Sequence, residues 1–82
     1  MKKISGNQVK AARALLNWSQ NDLADKASMT MTPVSRLERQ VVDSRRGTIK
    51  LIAMALEEAG IEFINEDGWV GVKLNLVVAS EE

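Results

Sequence analysis

Five side chains, Met31, Thr32, Ser35, Arg36 and Arg39, recur at i, i+1, i+4, i+5 and i+8, so a helix carries them on one face. Val34 and Leu37 fall on the opposite face. The exposed set suits the gripping of edges and anions. An arginine fork matches the O6/N7 edge of guanine, and a methionine or a threonine methyl packs on the methyl group of thymine. Other chemistry is missing from the chain. It has no cysteine and no histidine, which removes thiolate nucleophiles, disulfides, imidazole bases and the soft ligands of zinc or copper. No glycine-rich phosphate loop and no acid pair in a plausible cleft stand out either. The expectation is a protein that is not an enzyme and takes no metal and no cofactor.

Formal net charge is zero, but its distribution is not even. Residues 1–50 carry ten Lys and Arg against four Asp and Glu, a surplus of +6; residues 51–82 carry Lys73 alone against seven acids, a surplus of −6. A basic face backed by an acidic one is the electrostatic footprint of a nucleic-acid binder whose acidic half limits indiscriminate binding. Arg39, Arg45, Arg46 and Lys50 flank the gripping face and are candidate phosphate ligands, which supply affinity and register without sequence information.

The 82 residues suffice for one domain with a small core, with helices over 7–60 and a β-hairpin over 61–78. Val9, Ala12 and Leu16, with Leu15 beside them, predict a first helix over Asn7–Leu16. Ser19 with Asp22 three residues on, and Trp18 with Leu23 as a hydrophobic staple, predict a second over Gln20–Ala27. Thr30 offers the cap of a third helix that ends near Gln40, and Val41–Gly47 reads as an exposed basic loop. A fourth helix is expected over Thr48–Ala59, ended by Gly60, with Leu51, Met54 and Ala55 adding apolar surface away from its inner stripe. The period then changes to two: Ile61–Ile64 as one strand, Asn65–Gly68 as the turn, Trp69–Val78 as a longer second strand. Its overhang and its alternating apolar face predict self-association through Leu74, Leu76 and Val78, with the fourth helix as the other candidate surface. No apolar run approaches the ~20 residues that span a bilayer, so no membrane role is expected and a cytoplasmic location is.

The stretch Arg13-Ala-Leu-Leu-Asn-Trp-Ser-Gln-Asn-Asp-Leu-Ala24, followed by Thr30-Met-Thr-Pro-Val-Ser-Arg-Leu-Glu-Arg39, closely resembles the phage-repressor and Cro-like (XRE-type) helix-turn-helix family. The resemblance covers about residues 7–60. The tail, Ala59-Gly60-Ile-Glu-Phe-Ile64 and then Gly71-Val-Lys-Leu74, looks like the hairpin of a compact single-domain bacterial or phage branch of that family. It implies a mainly α fold, a lambda-repressor-like bundle of four to five short helices followed by a C-terminal β-hairpin. It also implies a third helix docked in the major groove of double-stranded DNA. By resemblance, Met31, Thr32 and Arg36 read bases, Gln20 binds a phosphate, and Arg13 and Glu38 form a structural ion pair between the first and third helices. Ser35 shares the phosphate-facing assignment with the flanking bases.

Two residues depart from the family pattern. Ser28 stands where a glycine usually makes the turn, and Pro33 is the third helical residue if Thr30 is the cap but the first if Thr32 is. The function expected is a sequence-specific transcriptional regulator, a repressor acting as a homodimer on a palindromic operator. The alternatives are a protein-interaction module or the antitoxin of a toxin–antitoxin pair, which would have a toxin as its protein partner.

Overall fold

In the computed structural model, which describes residues 4–40 and 45–80, five helices surround a small core and a two-stranded hairpin follows the fourth of them. Ser5 starts the first helix. Its Oγ accepts from the backbone N–H of Gln8 at 3.2 Å, and Gln8 Oε1 accepts from the Ser5 N–H at 2.9 Å. This reciprocal capping box satisfies two first-turn donors, so α1 (Gly6–Leu16) begins one residue earlier than its apolar period suggests. Ser19 and Asp22 repeat the device at 2.9 and 2.8 Å to open α2 (Gln20–Lys26), for which Ala27 is the C-cap.

Ser28 occupies the left-handed position of the next turn at φ 58°, where the family's glycine is free of strain and a serine is not. The turn keeps its length, and α3 (Met31–Glu38) begins directly after Thr30. Pro33 is therefore the third helical residue, where a missing N–H costs no intrahelical bond. α4 (Arg46–Glu58) starts two residues before the expected Thr48, so Arg46 and Gly47 belong to a helix and not to the basic loop. Asp43 and Ser44 of that loop lie outside the described residues.

The hairpin differs from its expected form at both ends. β1 (Ile61–Glu66) and β2 (Trp69–Leu74) pair antiparallel from Ile61↔Leu74 to Glu66↔Trp69. Asn65 and Glu66 are thus strand residues, and the turn is Asp67-Gly68 alone, at φ 53° and 79°. Two successive positive φ angles are the signature of the type I′ turn that matches strand twist, and Asp-Gly supplies them.

The second correction concerns the overhang. The strand stops at Leu74, and Leu76–Ser80 form a fifth helix, α5. Asn75 is the reason: its backbone N–H donates to Gly60 O at 2.9 Å, while its Oδ1 accepts from the N–H groups of Val77 and Val78 at 3.0 and 3.3 Å. An asparagine that caps a helix turns the chain away from the ladder. The expected exposed strand edge carrying Leu74, Leu76 and Val78 is therefore not formed. Leu74 and Val78 are half-buried near Gly60, and only Leu76 of the three is exposed.

The core lies between the helices. Val9 and Ala12 of α1, Leu23 of α2, Val34 of α3, and Ile52 and Leu56 of α4 are wholly buried. Each of the larger ones contributes about 1.5–3 kcal/mol by leaving water. Ile61, Phe63, Val72 and Leu74, all on one face of the hairpin, close the core from the side of α1 and α4.

Candidate nucleic-acid interface

α2, the Ser28 turn and α3 form two short helices at the spacing a groove-docking unit requires. α3 is fixed from below by Val34, Leu37 and Glu38, all buried, and from its N-terminal side by the turn. What remains outward is the polar face. Met31, Thr32, Arg36 and Arg39 are exposed and Ser35 is half-buried among them. Arg39 is the C-cap and continues the face past the last helical residue. The sequence-derived face is thus brought together on one side of α3.

Glu38 is the hinge of this arrangement, since its carboxylate is only 1% exposed. Arg13 meets it with two parallel bonds, Nε to Oε2 at 2.6 Å and Nη2 to Oε1 at 2.7 Å, and its Nη1 donates to Trp18 O at 2.9 Å. The ion pair that the resemblance implied is formed, and it ties α1 to the C-terminal end of α3. Burial pushes the Glu38 carboxyl up, but hydrogen bonds from Arg13 and Gln20, together with the charges of Arg13 and Lys10, outweigh this and hold it below the usual carboxylate range. The hydrogen bond to Glu38 raises Arg13 despite the opposing effect of burial. Both groups stay charged at neutral pH.

Gln20 has a role that its sequence position did not disclose. Its Nε2 donates to Glu38 Oε1 at 3.1 Å, so one amide hydrogen is committed inside the protein. Its other hydrogen has no acceptor among the described residues. Gln8 was missed altogether as anything but a helical residue. It is buried and joins α1 to the hairpin, and the only signal of it in the sequence is Ser5-x-x-Gln8, a capping-box pattern.

Two further features set this side of the molecule apart. Neither Thr30 at α3 nor Arg45 at α4 makes a side-chain capping bond, so neither N-cap side chain satisfies a first-turn N–H of its helix. Arg36, Arg39, Arg45, Arg46 and Lys50 form no ion pair among the described residues, whose two pairs are Arg13–Glu38 and the surface contact Lys73–Glu62 at 3.6 Å. α4 carries Arg45, Arg46 and Lys50 at its positive end and Glu57 and Glu58 at its negative end. That placement opposes the helix macrodipole at both ends.

Among the described residues no group of three His, Cys, Asp or Glu stands close enough to hold a metal ion, and no helix is long and apolar enough to cross a membrane. No curated protein matches the chain. Residues 9–62, more than half of the chain, match a family model described as Helix-turn-helix. With the bundle, the turn and the outward face already in place, the chain belongs to the Cro/C1-type (XRE) helix-turn-helix family of DNA-binding transcriptional regulators.

Proposed function

We propose that the protein is a sequence-specific repressor that binds a palindromic operator as a homodimer. In this reading Met31, Thr32 and Arg36 face base edges in the major groove, and Gln20, Ser35, Arg39, Arg45, Arg46 and Lys50 face the phosphates on either side. The observation that carries it is the state of α3: an outward face on which Arg36 and Arg39 form no ion pair among the described residues, on a helix whose N-cap Thr30 makes no side-chain capping bond. The cations at the N-terminal end of α4, Arg45 and Arg46, support the phosphate assignment, because they are unfavourable beside the positive helix end and a bound phosphate there would offset that cost.

Selection of bound duplexes from a random pool, followed by titration at several salt concentrations, tests the proposal. An enriched palindrome with half-sites about 34 Å apart is expected. No enrichment and no binding at low salt would overturn it.

For the dimer, the fourth helix replaces the strand edge as the proposed surface, since Leu51 and Met54 are about half exposed there. Ala55, grouped with them from the sequence, is buried and belongs to the core. Light scattering is expected to report a dimer that Leu51→Lys dissociates and Leu76→Lys leaves intact. A strict monomer at high micromolar concentration contradicts the dimer.

A further inference from the structure

The family match begins at residue 9 and ends at residue 62, so the first turn of α1 and most of the hairpin lie outside it. These two parts meet at one side chain. Gln8 is 2% exposed and uses both ends of its amide. Its Oε1 accepts from Ser5 N–H, while its Nε2 donates to Ile64 O at 3.2 Å and to Gly71 O at 3.0 Å. Ile64 and Gly71 are directly paired in the register; because Phe63 and Val72 turn their side chains to the core, that of Ile64 belongs to the other face, and Gly71 has none. The rung that meets Gln8 is therefore bare backbone, two carbonyls gathered by one buried donor group. Without that group they would lose a partner in a place with little water to replace it.

The same turn presses on the recognition helix. A Cβ on Gly6 would overlap the Leu37 carbonyl oxygen and lie 2.9 Å from both Cα and O of Glu38, so α1 starts in backbone contact with the last turn of α3. Farther along α1, Arg13 holds the carboxylate of that same Glu38. The end of α3 is thus seated on α1 at two places, and the place nearer the N-terminus is braced from behind by the hairpin through Gln8.

We infer that Gln8 is a positioning residue for DNA binding: it latches the hairpin to α1 and so fixes the seat of the recognition helix. The inference rests on the reading of α3 as the DNA-reading element. Two variants separate the latch from the helix cap. Gln8→Met removes both donors and the cap; Gln8→Glu keeps the acceptor that caps Ser5 but loses the donors, so a purely capping role is rescued by Glu and a latch is not. Ile52→Val, a core change on α4 that removes none of the hydrogen bonds of Gln8, controls for general loss of stability.

Each protein is titrated against the duplex selected by the wild type and against random duplex, at a temperature where circular dichroism shows it folded, and hydrogen exchange is followed at the hairpin amides. Both Gln8 variants are expected to lose hairpin protection relative to α2 and α4, and to lose roughly tenfold in the ratio of selected to random affinity. Ile52→Val is expected to keep both. If Gln8→Met does not fold, Gln8→Glu carries the test. A folded Gln8→Glu with the wild-type ratio overturns the latch alone, whereas a wild-type protein that enriches no sequence overturns the reading of α3 on which it rests.

Discussion

α1 and α2 begin with complete capping boxes, Ser5 with Gln8 and Ser19 with Asp22, whereas α3 and α4 begin with Thr30 and Arg45, neither of which makes a side-chain capping bond. The starts of α1 and α2 are thus closed within the protein. α3 and α4 share the core with them through Val34, Leu37, Ile52 and Leu56, but they also carry the outward polar face and the arginines that form no ion pair among the described residues. A helix start with its N–H groups uncapped and cations beside it is poorly optimised for the isolated protein and well suited to a polyanion. On the function proposed above, the contrast separates residues that hold the fold from residues that face DNA, and mutations can break or sharpen it.

The largest effect is expected where the two groups of helices are joined. Arg13→Ala leaves the buried carboxylate of Glu38 with Gln20 as its one hydrogen-bonding side chain among the described residues, and is expected to destabilise by about 3–5 kcal/mol in urea unfolding. The same pair gives stability a pH dependence. Because the folded-state pKa of Glu38 lies below its unfolded value, its contribution is complete above the unfolded value of about 4.3 and is lost as pH falls through the folded value. Unfolding measured from neutral pH into acid is expected to lose that contribution in the wild type and not in Glu38→Gln.

Next come the caps themselves. Ser19→Ala is expected to cost about 1 kcal/mol, and Thr30→Ala much less, since Thr30 makes no capping bond to lose. Equal losses at the two positions would erase the contrast. Arg46→Gln sharpens it through opposite signs: a small gain in thermal stability as a cation leaves the positive end of α4, with weaker DNA binding and a salt slope reduced by about one. The smallest change in DNA binding is expected from Ser28→Gly, which relieves a left-handed serine and stabilises the fold by up to about 1 kcal/mol without altering DNA affinity.

Features written in short windows were readable from the sequence. Ser19 and Asp22 three residues apart placed α2, the turn residues Asn65–Gly68 placed the hairpin although the turn itself is only Asp67-Gly68, and the spacing of Val34 and Leu37 placed the two faces of α3. The strand end was not readable because Leu74-Asn-Leu-Val-Val78 alternates well enough for a strand. The decision lies with Gly60, fifteen residues away, whose carbonyl accepts the Asn75 N–H and frees the side chain to cap α5. Gln8 and Gln20 were illegible in the same way. An amide in a helix looks like surface until the fold brings up the carbonyls of Ile64 and Gly71, or the carboxylate of Glu38. For the candidate site, the sequence identified the face but not the network beneath it.

The central claim is that the exposed face of α3 reads DNA, and Arg36 is its most direct probe. Arg36→Ala, titrated against the wild-type-selected duplex and against that duplex with each guanine of a half-site replaced in turn, is expected to lose about 1–3 kcal/mol of affinity and to become indifferent to one guanine position. Its fold and its binding to random duplex are expected to stay close to wild type. An Arg36→Ala protein that binds the selected duplex with unchanged affinity and unchanged preference at every guanine would contradict the account.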